Sequence, residues 1–239
     1  VLNAILVGDS LGMTMMGYDT TLPVTMEDMI HHGAAVARGT KNALVVVDMP
    51  FMSYQSSVYD AVVNAGRLMK EARANAVKLE GGVEVADRIR AIVDCQIPVC
   101  AHIGLTPQGI NALGGFKVQG KTADSARKLL EDAHAVEEAG AFAVVLEAIP
   151  AELAERVSAE LTIPTIGIGA GAGCDGQVLV NQDMLGMFHD FTPKFVRRFA
   201  EVGDVMLEAY RAYDAAVKDG SFPAAEHTYA APAGVLENL

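Results

Sequence analysis

Short apolar runs recur along this chain. Each ends in a polar residue and a turn, and each is followed by residues at helical spacing. Residues 4–8 read as a buried strand that delivers Asp9 and Ser10 into a glycine-containing turn. After a loop over 12–23, Thr25 caps a helix that runs to about residue 38, with Asp28 favouring its start. Residues 43–50 form a second strand that carries Asp48 and is stopped by Pro50. Ser56 or Ser57 then caps a helix with the apolar stripe Val58, Ala61, Val62, Ala65, Leu68 and Met69. The third strand, 76–82, holds Lys78 and Glu80 two positions apart, so both point to one side.

A helix over 83–94 leads to a fourth strand, 98–104, with His102 near its end. The glycine-rich loop over 105–121 has a length that suits a lid or binding loop better than a passive linker. Thr122 or Asp124 opens the next helix, which stops near Gly140. The fifth strand, 141–148, is apolar up to Glu147. A short helix over 150–160, a sixth strand over 164–171 and a weak strand over 177–180 follow. One or two helices over 193–218, broken near Gly203, complete the pattern.

This alternation, without a break in composition, predicts one parallel α/β domain over 1–239, with 220–239 as a partly irregular tail. In a (β/α)8 TIM barrel, Asp9, Asp48, Lys78, Glu80, His102 and Glu147 would meet at the carboxyl-end mouth, where active sites of that fold lie. Buried charge is costly without partners, so the convergence says more than any single position. Taken singly, Asp9 also reads as a cap, Lys78 and Glu80 as a rim ion pair, and His102 as a core histidine.

Composition narrows the classes. The formal charge of −12 argues against a nucleic-acid partner. Hydrophobic residues make up 51%, yet no apolar run reaches membrane-spanning length. Cys95, Cys100 and Cys174 form no CxxC pair and read as reduced thiols of a cytoplasmic protein. His31 and His32 are adjacent on a helix, face different ways, and read as surface or packing residues. Two aspartates and a nearby glutamate, without a Cys or His cluster, suit a hard divalent ion such as magnesium. One lysine beside them would balance an anionic substrate. The residues alone lead to metal-assisted enolate chemistry on a small carboxylate, with a carbon–carbon bond made or broken.

The chain resembles the ketopantoate hydroxymethyltransferase family. The matching stretches are VGDSLGM at 7–13, TLPVT at 21–25, DMPFMSY at 48–54, VKLEGG at 77–82, HIGLTPQ at 102–108, GGFKVQG at 114–120, LEAIP at 146–150, GIGAG at 167–171 and GSFPAAEH at 220–227. The resemblance implies a barrel of the phosphoenolpyruvate/pyruvate type that passes a one-carbon unit from 5,10-methylenetetrahydrofolate to 3-methyl-2-oxobutanoate. It also implies that Asp9 and Asp48 bind Mg2+, with Glu80 in or near its shell. Ser10 and Lys78 would hold the keto-acid, His102 would line the same pocket, and Glu147 would accept the proton. A homo-oligomer, commonly a decamer, is implied as well.

Glu147 follows Val144-Val145-Leu146, and partial desolvation there would disfavour its ionised form and make it a better base than His102. The family usually carries a further strand–helix unit before VGDS. Seven strands are counted here and a closed barrel needs eight, so an eighth is expected upstream of Val1. Two other readings stay open. One is a magnesium-dependent lyase or mutase of the same superfamily, and the other is a truncated, non-catalytic barrel subunit.

Overall fold

The computed structural model describes residues 2–188 and 192–238. The chain packs as two compact units, Val1–Val180 and Asn181–Leu239. In the first unit the apolar runs become β1 (Ala4–Val7), β2 (Leu44–Asp48), β3 (Ala76–Glu80), β4 (Val99–Gly104), β5 (Ala143–Glu147), β6 (Thr165–Ile168) and β7 (Gly176–Gln177). All seven are parallel and lie side by side in sequence order. A doubly wound sheet reverses direction at a switch point, whereas a barrel steps round one way, and the unbroken order here is the barrel's. No strand among the described residues joins β7 to β1.

The connecting helices are α1 (Leu11–Thr14), α2 (Met26–Gly39), α3 (Val58–Lys70), α4 (Ala86–Asp94), α5 (Ile110–Leu113), α6 (Ala123–Glu138) and α7 (Ala151–Glu160). Their starts follow local chemistry. Thr25 Oγ1 accepts from Asp28 N at 3.1 Å while Asp28 Oδ2 accepts from Thr25 N at 2.9 Å, a reciprocal cap on α2. Ser57 caps α3 through Asp60 N, and Thr122 caps α6 through Ser125 N. The single turns α1 and α5 fall inside stretches read as loops, because four residues carry too little periodicity to register. The weak strand is displaced to two residues at 176–177, where the ladder with β6 has only two pairs.

In the second unit, α8 (Asn181–Met184) precedes α9 (Val202–Asp219). Gly203 lies in the first turn of α9 and does not break a longer helix. Part of the expected 193–218 helical region is thus turn, and residues 189–191 lie outside the described residues.

Alternation along the strands divides the first unit into two cores. Val45, Val47, Val77, Leu79, Val99, Ala101, Ile103, Val144 and Leu146 pack against the helices through Met29, Leu68, Ile89 and Val136. The opposite parity gives a smaller cluster of Val46, Ala76, Cys100, Ala143, Val145 and Ile168. Two residues further along this second face stand Asp48, Lys78, His102 and Glu147, with Glu80 beyond Lys78. The register pairs Asp48 with Lys78, and Glu80 with His102.

Gly104 ends β4 at φ +95°, and a Cβ there would lie 2.4 Å from the Glu147 carbonyl oxygen. Gly104→Ala is expected to cost about 2–3 kcal/mol, since both the backbone conformation and the close approach exclude a side chain. A urea melt with a lowered midpoint and unchanged slope checks this.

Candidate active site

Lys78, buried at the middle of β3, organises the polar end of the sheet. Its Nζ lies 3.0 Å from Asp48 Oδ1 and 3.1 Å from His102 Nδ1. Burial, the largest influence, works against the ammonium, but the charges of Asp48, Glu80 and Asp9 together raise its pKa above the usual lysine value. The contact with the buried Asp48 Oδ1 is a charge-assisted one, and it adds to the rise in the lysine pKa. Asp48 Oδ2 accepts from Asp9 N at 3.0 Å.

Asp9 leaves β1 into the turn that begins α1. Burial first, and then the neighbouring Asp48 charge, push its pKa up to about 7 against the opposing pull of Lys78 and Gln108. Ser10, half-buried, starts α1 without a side-chain cap bond. Gly8 keeps the space beside it open, since a Cβ there would sit 3.2 Å from Ser10 Oγ and 3.5 Å from Asp48 Oδ2. Glu80 Oε2 accepts from Gln108 N at 3.0 Å, and Glu80 Oε1 lies 3.9 Å from His102 Nδ1. Burial raises the Glu80 pKa well above the carboxylate range; Lys78 opposes this and Asp9 adds to it.

His102 has both ring nitrogens engaged. An ammonium can only donate, so Nδ1 accepts from Lys78 and the ring proton belongs on Nε2. That N–H points to Leu105 O at 2.9 Å, with Glu147 Oε2 at 3.2 Å. Glu147 is the most accessible of the four carboxylates, its side chain 15% exposed against 4% for Asp48 and 3% for Glu80. Ala148, directly after it, is held at φ +47°. The structure therefore gathers Asp9, Asp48, Lys78, Glu80, His102 and Glu147 through contacts at one end of the sheet, with Ser10 beside Asp48.

Two residues of this cluster were not anticipated. Tyr54 and Gln108 are buried and link Asp9 to Glu80. Both sit in loops after strands, where no periodicity marks a residue as inward-facing; only their place just beyond two charged strand ends could have drawn notice. Among the described residues, no group of three or more His, Cys, Asp or Glu is arranged to hold a metal ion. The thiols of Cys95, Cys100 and Cys174 are all free.

A sheet wound in this order, with its charged residues gathered on one face toward one end, defines a parallel α/β protein with the strand order of a barrel. The fold is similar to that of a putative phosphonomutase from Burkholderia cenocepacia, with a TM-score of 0.55 and 17% identity over 91% of this chain and 85% of that one. It is also similar to a phosphonopyruvate hydrolase, with a TM-score of 0.57 and 14% identity over 98% of this chain and 82% of that one. At such identities the likeness is one of fold.

The chain belongs to the ketopantoate hydroxymethyltransferase family, which it matches over residues 1–225. It is 66% identical over 238 residues to the 3-methyl-2-oxobutanoate hydroxymethyltransferase of Clostridium novyi, covering 100% of this chain and 86% of that protein. The protein of the same name from Enterococcus faecalis is 65% identical with the same coverage.

The raised Asp9 pKa has a consequence for stability. Between 3.8 and about 7 the folded chain keeps a proton that the unfolded chain releases, so this group's contribution falls as pH rises through that window. Asp9→Asn removes the dependence. In metal-free protein it is expected to raise stability at about pH 8 by about 1–3 kcal/mol. Urea melts of both proteins at several pH values read the difference.

Proposed function

We propose that the chain transfers a hydroxymethyl group to 3-methyl-2-oxobutanoate, with 5,10-methylenetetrahydrofolate as donor and water completing the balance. The products are 2-dehydropantoate and tetrahydrofolate, and the step serves pantothenate biosynthesis. The observation that carries this reading is the 65–66% identity to enzymes of that name along the whole chain. The arrangement of charge at the strand ends supports it. Lys78 supplies the cation that an α-keto-acid requires, and Ser10 offers a hydroxyl beside Asp48.

Asp9 and Asp48 fit magnesium, with Glu80 near its shell. The donors are all oxygen, and the three buried carboxylates of Asp9, Asp48 and Glu80 outnumber the single buried ammonium of Lys78. Magnesium needs only one or two carboxylates because it retains water and takes substrate oxygens. When bound, it supplies Lewis-acid polarisation of the ketone.

The proton from C3 goes to Glu147. The His102 Nδ1 lone pair is taken by Lys78 and its Nε2 proton is directed at Leu105 O, so the imidazole has no free basic nitrogen. Glu147 is reachable and steadied by His102 at 3.2 Å. The C3 carbon then attacks the methylene carbon of the folate as one of its C–N bonds opens, and water replaces the second nitrogen, leaving the hydroxymethyl group and tetrahydrofolate. Family membership also supports a homo-oligomer, of which a decamer is the proposed form.

Glu147→Gln keeps the shape and removes the base. Exchange of the substrate C3 proton with deuterated solvent is expected to slow by about 10²–10⁴-fold. Exchange that survives Glu147→Gln and is lost in His102→Asn would reverse the two roles. Asp48→Asn should remove metal-dependent turnover, and full activity after chelation would overturn the magnesium assignment. Sedimentation velocity at micromolar concentration tests the assembly, a monomer being the contrary result.

A further inference from the structure

Gln108 sits in the 3₁₀ turn Pro107–Gly109, just past β4, and is 5% exposed. Its side-chain nitrogen donates to Asp9 Oδ2 at 2.8 Å and to the Met49 carbonyl at 2.9 Å. Its side-chain oxygen accepts from the Tyr54 hydroxyl at 2.7 Å and from Gln55 Nε2 at 3.0 Å. Its backbone N–H donates to Glu80 Oε2 at 3.0 Å. An amide offers two protons and two lone pairs, so every hydrogen-bonding site of the side chain is used. Turning the amide over would set its oxygen against a carboxylate and a carbonyl, so only one orientation is possible.

Tyr54 fixes that orientation. Its ring is fully buried, and its one hydroxyl proton faces the Gln108 oxygen at 2.7 Å and the Glu80 carbonyl at 3.1 Å, the shorter contact assigning it to Gln108. The hydroxyl oxygen in turn accepts from Glu80 N at 3.0 Å. Asp9 and Glu80 make no hydrogen bond to each other among the described residues, yet both are tied to this one glutamine. Because the amide takes Asp9 Oδ2, it fixes how that carboxylate is turned.

We propose that Gln108, oriented by Tyr54, is the positioning residue that presents Asp9 and Glu80 to a divalent cation, an inference that rests on the magnesium reading above. A glutamine that merely filled buried valences would, on removal, lower the melting temperature and leave the ion affinity of the folded protein as it was. A positioning glutamine changes that affinity, typically by about 10–100-fold for partners that stand behind metal-binding side chains.

The test titrates Mn2+ into the purified full chain, reading the free ion by its paramagnetic resonance signal, with melting curves and steady-state kinetics alongside. Tyr54→Phe keeps the buried ring, Gln108→Met keeps the volume, and Asp48→Asn marks the site. The expected result is Mn2+ binding weakened about 10–100-fold in Tyr54→Phe and in Gln108→Met. At saturating Mn2+, kcat should stay reduced while KM for the keto-acid changes little. Should Gln108→Met fail to fold, Tyr54→Phe decides. Wild-type Mn2+ affinity in the folded variants, with Asp48→Asn weakened, overturns the positioning role alone. Binding that ignores Asp48→Asn overturns the magnesium reading and this inference together.

Discussion

A lysine ammonium at the centre of a buried strand has to be answered by charge, and much of the polar end of this protein follows from Lys78. Taking an ammonium and a carboxylate out of water costs several kcal/mol each, and removing one partner of such a pair typically costs about 3–5 kcal/mol. Asp48, in register on the next strand, meets the ammonium at 3.0 Å. His102 meets it from the other side and is thereby fixed in one tautomer. That tautomer sends the ring N–H toward Leu105 and Glu147, so the orientation of the most accessible carboxylate is linked to the least accessible cation. Burial first, and then the negative charge of Asp48 that Lys78 only partly answers, push Asp9 upward.

Strand parity made this legible in the amino-acid sequence. The spacing of two between Lys78 and Glu80 places both on the inner face, and Asp48, His102 and Glu147 share it because each closes an apolar run of the matching phase. The same rule separates the two cores, with Val47, Val77 and Leu146 turned to the helices and Val46, Ala76 and Val145 turned inward. The capped helices were also legible, since Thr25, Ser57 and Thr122 act through short-range bonds that depend on little else. What strand periodicity cannot describe is a residue outside a strand. Tyr54 and Gln108 take their places from the ends of β2 and β4, and their partners lie 26 to 99 positions away. The turns α1 and α5 were hidden for a related reason, being too short to show a helical repeat.

The glycines and strained positions near Glu147 serve a single geometric demand. Gly104 allows β4 to pass within reach of the Glu147 carbonyl, and Ala148 turns the chain away at a positive φ immediately afterwards. Leu105 N donates to Glu147 O at 2.9 Å, and the Ala148 carbonyl accepts from Gln119 N at 2.9 Å. The backbone on both sides of Glu147 is thus anchored while its side chain stays partly open. Precision in the main chain coexists with access at the carboxylate.

The sequential strand order also sets a timetable. A chain synthesised from its N-terminus offers Asp48 its counter-charge as soon as β3 emerges, 30 residues later, by the positions of Asp48 and Lys78. Asp9 can reach the Asp48 carboxylate once β2 has been made, 39 positions on. Its side-chain partner on Gln108 is 99 positions away and emerges only after β4 has left the ribosome. A nascent chain halted before that point would carry the ion pair complete and Asp9 still without its amide, so the glutamine registers that β1 to β4 have been delivered.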